Sequence, residues 1–578
     1  MGVEMKDRVP LVVSISLVVL SQCYFFFKPD YFLDGAILLA AGVVAFGILI
    51  RSIEKAPCHS NDIRAERISG RISRIGKRFW RKGLVLLSVF LSFWAGLRSL
   101  EGGDSSFDEL AIWLAAMGLI LLSFHRPRSG LSESAMSGPI PWAEIAVVSG
   151  VVFVGLLLRT MFLTDIPRNI SGDSGTVGCW ALDFLEGRRT NLFATGWFAV
   201  PTMGFYAKAV AMKVFGSGVL GLRVFSALVG TLALVTNYLL FRGLFGRAVA
   251  QIALILLATH DLHIHYSRVG IHHIVDTLLY GCALFCLLIA FREGREMWFV
   301  AAGLVAGLGW YFYFGARIIP LVFGLALLHT AFTSKLSARK FLVHSGLIAL
   351  GFLVAAMPLL VYYHTQPEAL FSRFNQVGIF QSGWLSQATQ STGQSEVVVI
   401  LEQFKKAFFS ISYYADRSFH YYPERPFLGF VASIFFVLGT VVSVIKLREK
   451  SYFWVLGSLV LILTFGAALL ENPPQSQRLV LLAPVLAALV SIGIVHFSGL
   501  LAASVKLSKR TAGGISLACA LWIGVSSVWF YFFEFTPRRT YGNPTAYIAT
   551  EMARFINSQE SIEEVVFFGA PFMYGDFG

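Results

Sequence analysis

Asp173 is the first residue in the chain whose setting suggests chemistry. It stands in PRNISGDSGTVGCW (167–180), a Gly- and Ser-rich stretch directly after the apolar run Ile145 to Phe162. An acid there reads either as a solvated turn Asp or as a general base near a membrane face. The same stretch holds an Asn169-Ile170-Ser171 glycosylation sequon, which matters only in a secretory host. A denser group follows: Asp261, His263, His265, Arg268, His272, His273 and Asp276 fall within sixteen residues. His272 and Asp276 are four apart, on one helical face. Asp276 falls about one turn inside a predicted span, where ionisable groups face a polar cavity or a partner. Arg268 is the nearby cation, and an interfacial ion pair fixing two helices is the bland alternative. His263 and His265 offer two metal ligands with no third evident. Arg317 follows the aromatic stretch 310–314 and Gly315, and Arg478 follows PPQSQ (473–477). An Arg at a helix end either snorkels or grips a phosphate through forked hydrogen bonds.

The elements that must position these groups are membrane helices. Of 578 residues, 56% are hydrophobic and 14% charged, with mean hydropathy +0.68. That composition excludes a soluble globular protein of this size and points to an all-α polytopic membrane protein. Gly (53) and Phe (52) suit closely packed helices and lipid-facing rings. Six scattered cysteines form no CxxC or metal spacing and read as small buried hydrophobes. A span needs roughly 20 apolar residues. Such runs occur at about 10–27, 32–50, 83–98, 109–124, 142–162, 220–241, 248–262, 272–291, 297–314, 317–332, 341–363, 427–445, 452–470, 478–498 and 513–533, fifteen in all. The first lacks a small-residue cleavage site and reads as a retained anchor, not a signal peptide.

Lys and Arg fix the sides. The loop 51–82 carries ten of them and must be cytoplasmic, as must the N-terminus. Alternating from it, HRPRSG (125–130), RGLFGR (242–247), REGRE (292–296), TSKLSARK (333–340), KLREK (446–450) and VKLSKR (505–510) all fall inside. The net charge of +13 is thereby explained by the positive-inside rule, without nucleic acid. This holds only if the apolar stretch 198–215 does not cross, so it is expected to lie along the outer face or to re-enter.

The polar, aromatic and His-rich material then collects outside, which suggests a site open to the outer face of a cell (inner) membrane. The outer loops include 163–219, 260–273, 314–317, 364–426 and 471–478, and 364–426 is aromatic and too long for a passive connector, hence an ordered cap. Residues 1–140 form four extra helices, 141–533 a core, and 534–578 an outer tail with a helix near 545–557 and a strand at 563–568. Five apolar residues between Ile63 and Phe79 predict an amphipathic helix on the inner leaflet.

The order of motifs resembles the GT-C membrane glycosyltransferases, near the protein O-mannosyltransferase and lipid A aminoarabinose transferase branches. The resemblance covers about 142–500. It rests on Gly172-Asp173, the stretch 201–230, YLLFRGLFGR (238–247), YSRVGIHHIVD (266–276), GWYFYFGARIIP (309–320) and PPQSQRLVLLAP (473–484). The chain departs from those families at Ser174, where a second acid is common, and at Phe198-Ala-Val-Pro201, where His- or Lys-Pro-Pro is common.

The resemblance implies transfer of a single sugar from a polyprenyl-phosphate donor to a protein, lipid or glycan acceptor, with inversion. Lipid phosphate leaves readily once its charge is neutralised, so the enzyme must activate the acceptor and stabilise phosphate. The residues implied are Asp173 as base, with Asp276 orienting Arg268 or a His. Arg268, Arg317 and Arg478 are implied on the donor phosphate, with His265, His272, Lys208 and Arg223 in support. A divalent cation is left open. Two other classes compete: a flippase or transporter of an anionic or lipid-linked substrate, and a glycan polymerase or ligase. Transport predicts mid-span charges and paired broken helices, and the sequence offers almost none of the former and no paired halves.

Overall fold

The computed structural model describes residues 5–54, 75–101, 106–126, 140–334, 336–539 and 541–559. Helices dominate, and among the described residues the only β pairing is two isolated bridges, Thr195 with Pro201 and Gly378 with Leu470. Twelve helices are long and apolar enough to cross a membrane. A thirteenth crossing arises if Arg247–Thr259 and Asp261–Arg268, bent by 53° at their junction, are one span. The chain is an integral membrane protein.

The expected count of fifteen differs from this for a local reason. Three of the apolar runs fold into helices that stop short. One is the bent pair just named. Glu296–Leu308 has 13 residues, because the chain passes at Gly309 into short 3-10 turns through the aromatic stretch. Phe430–Ile445 has 16, because it starts only after Pro426 and Gly429. The stretch 198–215 forms Thr202–Phe215, a 14-residue helix packed between Gly172–Leu185 and Val219–Phe245. At 1.5 Å per residue it is about 21 Å long, short of the bilayer's apolar thickness.

Glycines let the helices meet at the backbone. A Cβ on Gly439 would strike the Leu489 carbonyl, and one on Gly493 would strike the Phe435 carbonyl. Gly303 and Gly351 do the same for Glu296–Leu308 against Ala338–Thr365. Small residues at such crossings gain van der Waals contact that larger ones forbid.

Buried charge ties the core together. Glu144 accepts from Arg242 at 2.5 Å and from Tyr238. Arg159, fully buried, donates to the Gly155 and Ala258 carbonyls at 2.8 and 3.0 Å and meets His263 Nδ1 at 2.8 Å. His263 is thereby engaged in packing, with Thr277 Oγ1 at 3.3 Å from its other nitrogen. Beyond the last span, Asn543–Asn557 docks on the loop before Asp173. Arg168 forks onto Glu551 at 2.5 and 2.7 Å, and the Ile170 amide donates to Thr550 Oγ1 at 2.9 Å. The expected strand at 563–568 and most of the expected amphipathic helix at 63–79 lie outside the described residues.

Candidate functional site

Asp173 lies in the first turn of Gly172–Leu185, whose N-terminus is capped by Ser171 Oγ accepting from the Ser174 amide at 3.2 Å. The helix dipole favours a carboxylate at that end. Asp173 Oδ2 is 3.1 Å from His420 Nε2. Burial pushes the Asp173 carboxyl up to about 6, opposed in part by the Arg373 guanidinium. Burial, reinforced by nearby cationic groups, holds His420 down to about 3, so its imidazole is neutral near pH 7. A neutral imidazole 3.1 Å from a carboxylate packs against it without quenching it as a base.

His420 sits in the irregular segment between Glu396–Phe409 and Phe430–Ile445, and two contacts hold it. Its carbonyl accepts from His265 Nε2 at 2.7 Å. Asp416 Oδ1 accepts from the Ser418 amide at 3.0 Å and from the Ser476 amide at 3.3 Å. Ser418 and Ser476 also pair through their hydroxyls at 2.6 Å. Burial lifts Asp416 to about 6 against these hydrogen bonds. The chain carrying His420 is thus fastened to the chain carrying Arg478.

Asp173 and His420 face a cleft of about 350 Å³. Arg373, from Pro367–Val377, and Arg478, from the turn Ser476–Arg478, supply its positive charge. Arg478 donates to the Glu471 carbonyl at 2.9 Å and pairs with its carboxylate at 3.5 Å. Asn472, Gln475 and Gln477 add neutral polar groups, while Trp197, Phe198, Val200 and Phe205 form an apolar arm. Phe198 and Ala199 have φ of 50° and 57°, the left-handed region that side chains rarely occupy. Arg373 lies over the Phe198 ring at 5.6 Å. His273 stacks on Tyr313 at 3.6 Å between centroids. His272 also lines the cleft, packs edge-on against Phe205 at 4.8 Å, and has no hydrogen-bond partner for either ring nitrogen among the described residues.

Several residues singled out from sequence have other partners. Arg268 is directed away from the cleft lining and donates to the carbonyls of Leu158, Met161 and Ile166 at 2.7, 2.6 and 3.0 Å. It therefore closes the frayed end of Trp142–Thr160 and makes no pair with Asp276. Asp276 packs instead against the Gly315-Ala316 backbone, where a Cβ on Gly315 would strike its carboxylate. Arg317 donates to Tyr363 Oη at 2.7 Å and lies over the Phe314 and Trp310 rings at 4.5 and 4.9 Å. Arg223 donates to the Leu163 and Asn169 carbonyls at 2.9 and 3.0 Å, holding the loop before Asp173. Lys208 is buried on Ser226 Oγ at 2.9 Å and the Leu222 carbonyl at 3.3 Å. Asn169 is 1% exposed and donates to the Arg539 and Tyr541 carbonyls, so the sequon offers no accessible amide. Ser174 is turned onto Ser171 and Tyr541 at 3.0 and 3.2 Å.

The sequence reading missed His420 and Arg373. The signal for His420 was its place between Phe419 and Tyr421-Tyr422 in the aromatic outer loop. Among the described residues no three His, Cys, Asp or Glu side chains gather as a metal site. His265, bound to the His420 carbonyl and to Tyr531 Oη at 3.3 Å, does not pair with His263 as a ligand set.

Known proteins bear on these geometries as follows. No curated protein sequence matches the chain. An oligosaccharyltransferase from Archaeoglobus fulgidus, crystallised with Zn and sulfate, is 16% identical at a TM-score of 0.46, over 72% of this chain and 56% of that one. The chain thus spans little more than half the length of the archaeal protein. ArnT from Cupriavidus metallidurans, bound to undecaprenyl phosphate, is 17% identical at 0.38, over 71% of this chain and 76% of that one. The S. cerevisiae Pmt1-Pmt2 complex bound to the sugar donor is 15% identical at 0.34, over 41% and 35%. Residues 199–362 match the family model described as dolichyl-phosphate-mannose-protein mannosyltransferase. Over that stretch, which carries the GIHHIVD and YFGARIIP motifs, the chain is similar to the membrane mannosyltransferases, and the resemblance read from its motifs stands.

Proposed function

We propose that this chain is a membrane glycosyltransferase that moves a single sugar from a polyprenyl-phosphate donor to an acceptor hydroxyl or amine at the extracytoplasmic face. One observation carries the reading: a carboxylate aligned by a neutral imidazole shares one cleft with two guanidinium groups. The family match at 199–362 supports the reaction class. The helices of 1–140, the core 141–533 and the tail 534–578 are the proposed division of labour, with the chemistry confined to the core.

In the proposed step the acceptor atom attacks the anomeric carbon from the face opposite the phosphate. The bond from that carbon to the phosphate oxygen breaks, and lipid monophosphate leaves with both electrons. Asp173 takes the proton released by the acceptor. Arg478 and Arg373 neutralise the growing charge on the phosphate, which is where fixed cations lower a barrier most. Direct displacement inverts the sugar. The apolar arm by Trp197 and Phe198 suits the first isoprene units, and the Asn and Gln side chains near Arg478 suit sugar hydroxyls. A divalent cation has no cluster of three ligands to hold it among the described residues, and Asp173 and His420 face each other.

The test is turnover by the purified full chain on a panel of polyprenyl-phosphate sugars, with and without chelator, reading released polyprenyl phosphate. Release from one donor supports the reading. Absence of release from every donor favours transport, and turnover only of diphosphate-linked oligosaccharides favours a polymerase or ligase.

A further inference from the structure

The chain segment that carries His420 has a second side. Tyr421 and Arg425 turn to Asp261, whose Oδ2 accepts from Tyr421 Oη at 2.8 Å and from Arg425 at 2.5 Å. Its Oδ1 accepts from Ser527 Oγ at 2.9 Å. Beside this cluster opens another cleft of about 350 Å³, separate in its lining from the one described above. Its walls are the start of Phe430–Ile445 and the Trp522–Phe530 stretch, and its floor is Leu256, Ala487 and Val490. Trp522, Val525 and Trp529 on the same helix are 66%, 66% and 55% exposed, as apolar side chains facing lipid are. The cleft therefore lies against the bilayer, at the end of the helices where the polar segment 410–428 begins.

The rim of this cleft is polar and incompletely bonded. His260 stands at the break between Arg247–Thr259 and Asp261–Arg268, 7% exposed, with Nδ1 3.5 Å from Asp261 Oδ1, and among the described residues neither ring nitrogen has a hydrogen-bond partner. Arg425 Nε likewise has none. Buried polar atoms left unbonded are rare in folded proteins and call for a ligand or water. Asp261, by contrast, is fully engaged. Glu534, on the exposed side of the rim, forms no ion pair among the described residues. Arg425 is offset by Asp261, so Glu534 leaves the rim with a net negative charge.

These features define an occupant: apolar below, with hydrogen-bond acceptors for Arg425 and His260 above, and a positive group for Glu534. We infer that the cleft binds a phospholipid with an ammonium-bearing zwitterionic head group. The phosphodiester accepts from Arg425 and His260, the ammonium meets Glu534, and one acyl chain lies between Phe430–Ile445 and Lys509–Trp529. An anionic head group has nothing to offer Glu534 and adds like charge. A polyprenyl monophosphate, doubly charged, finds one guanidinium here, paired with Asp261, and two in the other cleft, of which Arg478 is paired with Glu471 and Arg373 is not. Because Arg425 and Tyr421 adjoin His420 in the chain, a lipid seated here braces the segment that aligns Asp173.

Gly429 provides the means to test this. It lines the cleft wall with φ −70°, and a Cβ there meets nothing within 4 Å, so a larger residue fills the cleft without straining the backbone. The full chain is placed in nanodiscs of equal phosphatidylethanolamine and phosphatidylglycerol, exchanged into detergent, and its retained lipid weighed by native mass spectrometry. The expected result is retention of phosphatidylethanolamine over phosphatidylglycerol by at least about ten-fold, equivalent to 1.4 kcal/mol. Gly429→Leu abolishes that retention, and the surface change Glu534→Gln, which cannot disturb the core, removes the preference. Equal retention of both lipids, or unchanged retention in Gly429→Leu, overturns the inference. Binding is read without turnover, and Asp173→Asn retains the lipid. A donor panel that fails while lipid retention holds therefore counts against the proposed reaction alone.

Discussion

Asp173 Oδ2 and His420 Nε2 meet at 3.1 Å, although one opens a short helix after the fifth expected span and the other lies in the irregular segment ahead of Phe430–Ile445. Ser174, next to Asp173 in the chain, is turned onto Tyr541 at 3.2 Å. His420→Ala is expected to lower kcat on the order of ten- to a hundred-fold, the scale of losing an orienting contact, with little change in donor KM. His420→Gln, which keeps a donor, recovers part of the loss. Loss of the imidazole 3.1 Å from Asp173 displaces the acid limb of the pH–rate profile. An unchanged profile in His420→Ala leaves His420 no part in aligning the base.

The pH dependence of the wild-type enzyme follows from the sign of the Asp173 shift. Burial raises this carboxyl to about 6. The ionised form is the base, so turnover is present above that value and falls as pH drops through it. A profile that is flat from pH 8 to pH 5 excludes Asp173 as the group whose ionisation limits the rate.

Cations inside and outside the cleft separate two kinds of loss. Arg478→Gln and Arg373→Gln each raise donor KM or lower kcat while leaving the yield of folded protein near normal. Arg268→Gln strips donors from four backbone carbonyls, each costing about 1 kcal/mol or more when left unbonded. It is expected to reduce folded yield and thermal midpoint, read by fluorescence-detected chromatography on heating, without a selective rise in donor KM.

The tail after the last span also bears on the base. Tyr541 Oη bonds Ser171 and Ser174 at 2.9 and 3.2 Å, at the turn that starts the Asp173 helix. Tyr541→Phe removes both bonds at a cost of about 1–2 kcal/mol. Its expected mark is a lower kcat and faster amide exchange at 169–175. Glu551→Gln, on a half-exposed pair, is worth at most about 1 kcal/mol and shows a weaker form of the same effect.

Much of the fold was legible because apolar runs and basic loops obey simple rules. The stretch 198–215, left out of the spans by charge alternation, folds as the 14-residue helix Thr202–Phe215 and is not among the twelve long apolar helices. The span count was less legible, since an apolar run does not reveal where Gly309 or Pro426 ends a helix. Asp173 could be picked out because a lone acid in a Gly-rich turn after a span is conspicuous. Arg268 and Arg317 looked equivalent to Arg478, yet unpaired carbonyls and aromatic rings engage the first two. Nothing in sequence tells which acceptors a cation will meet. His420 and Arg373 were missed because an irregular loop has no periodicity from which to place a side chain.

The central claim is that Asp173 activates the acceptor for transfer from a polyprenyl-phosphate sugar. Its most direct test compares wild type with Asp173→Asn in matched membranes, at equal expression and folded yield, on the donor that the panel identifies. Released polyprenyl phosphate and glycosylated acceptor are both measured. Asp173→Asn should lose transfer by about 10²-fold or more, the usual worth of a general base, while still binding donor. Normal transfer by Asp173→Asn would contradict the account.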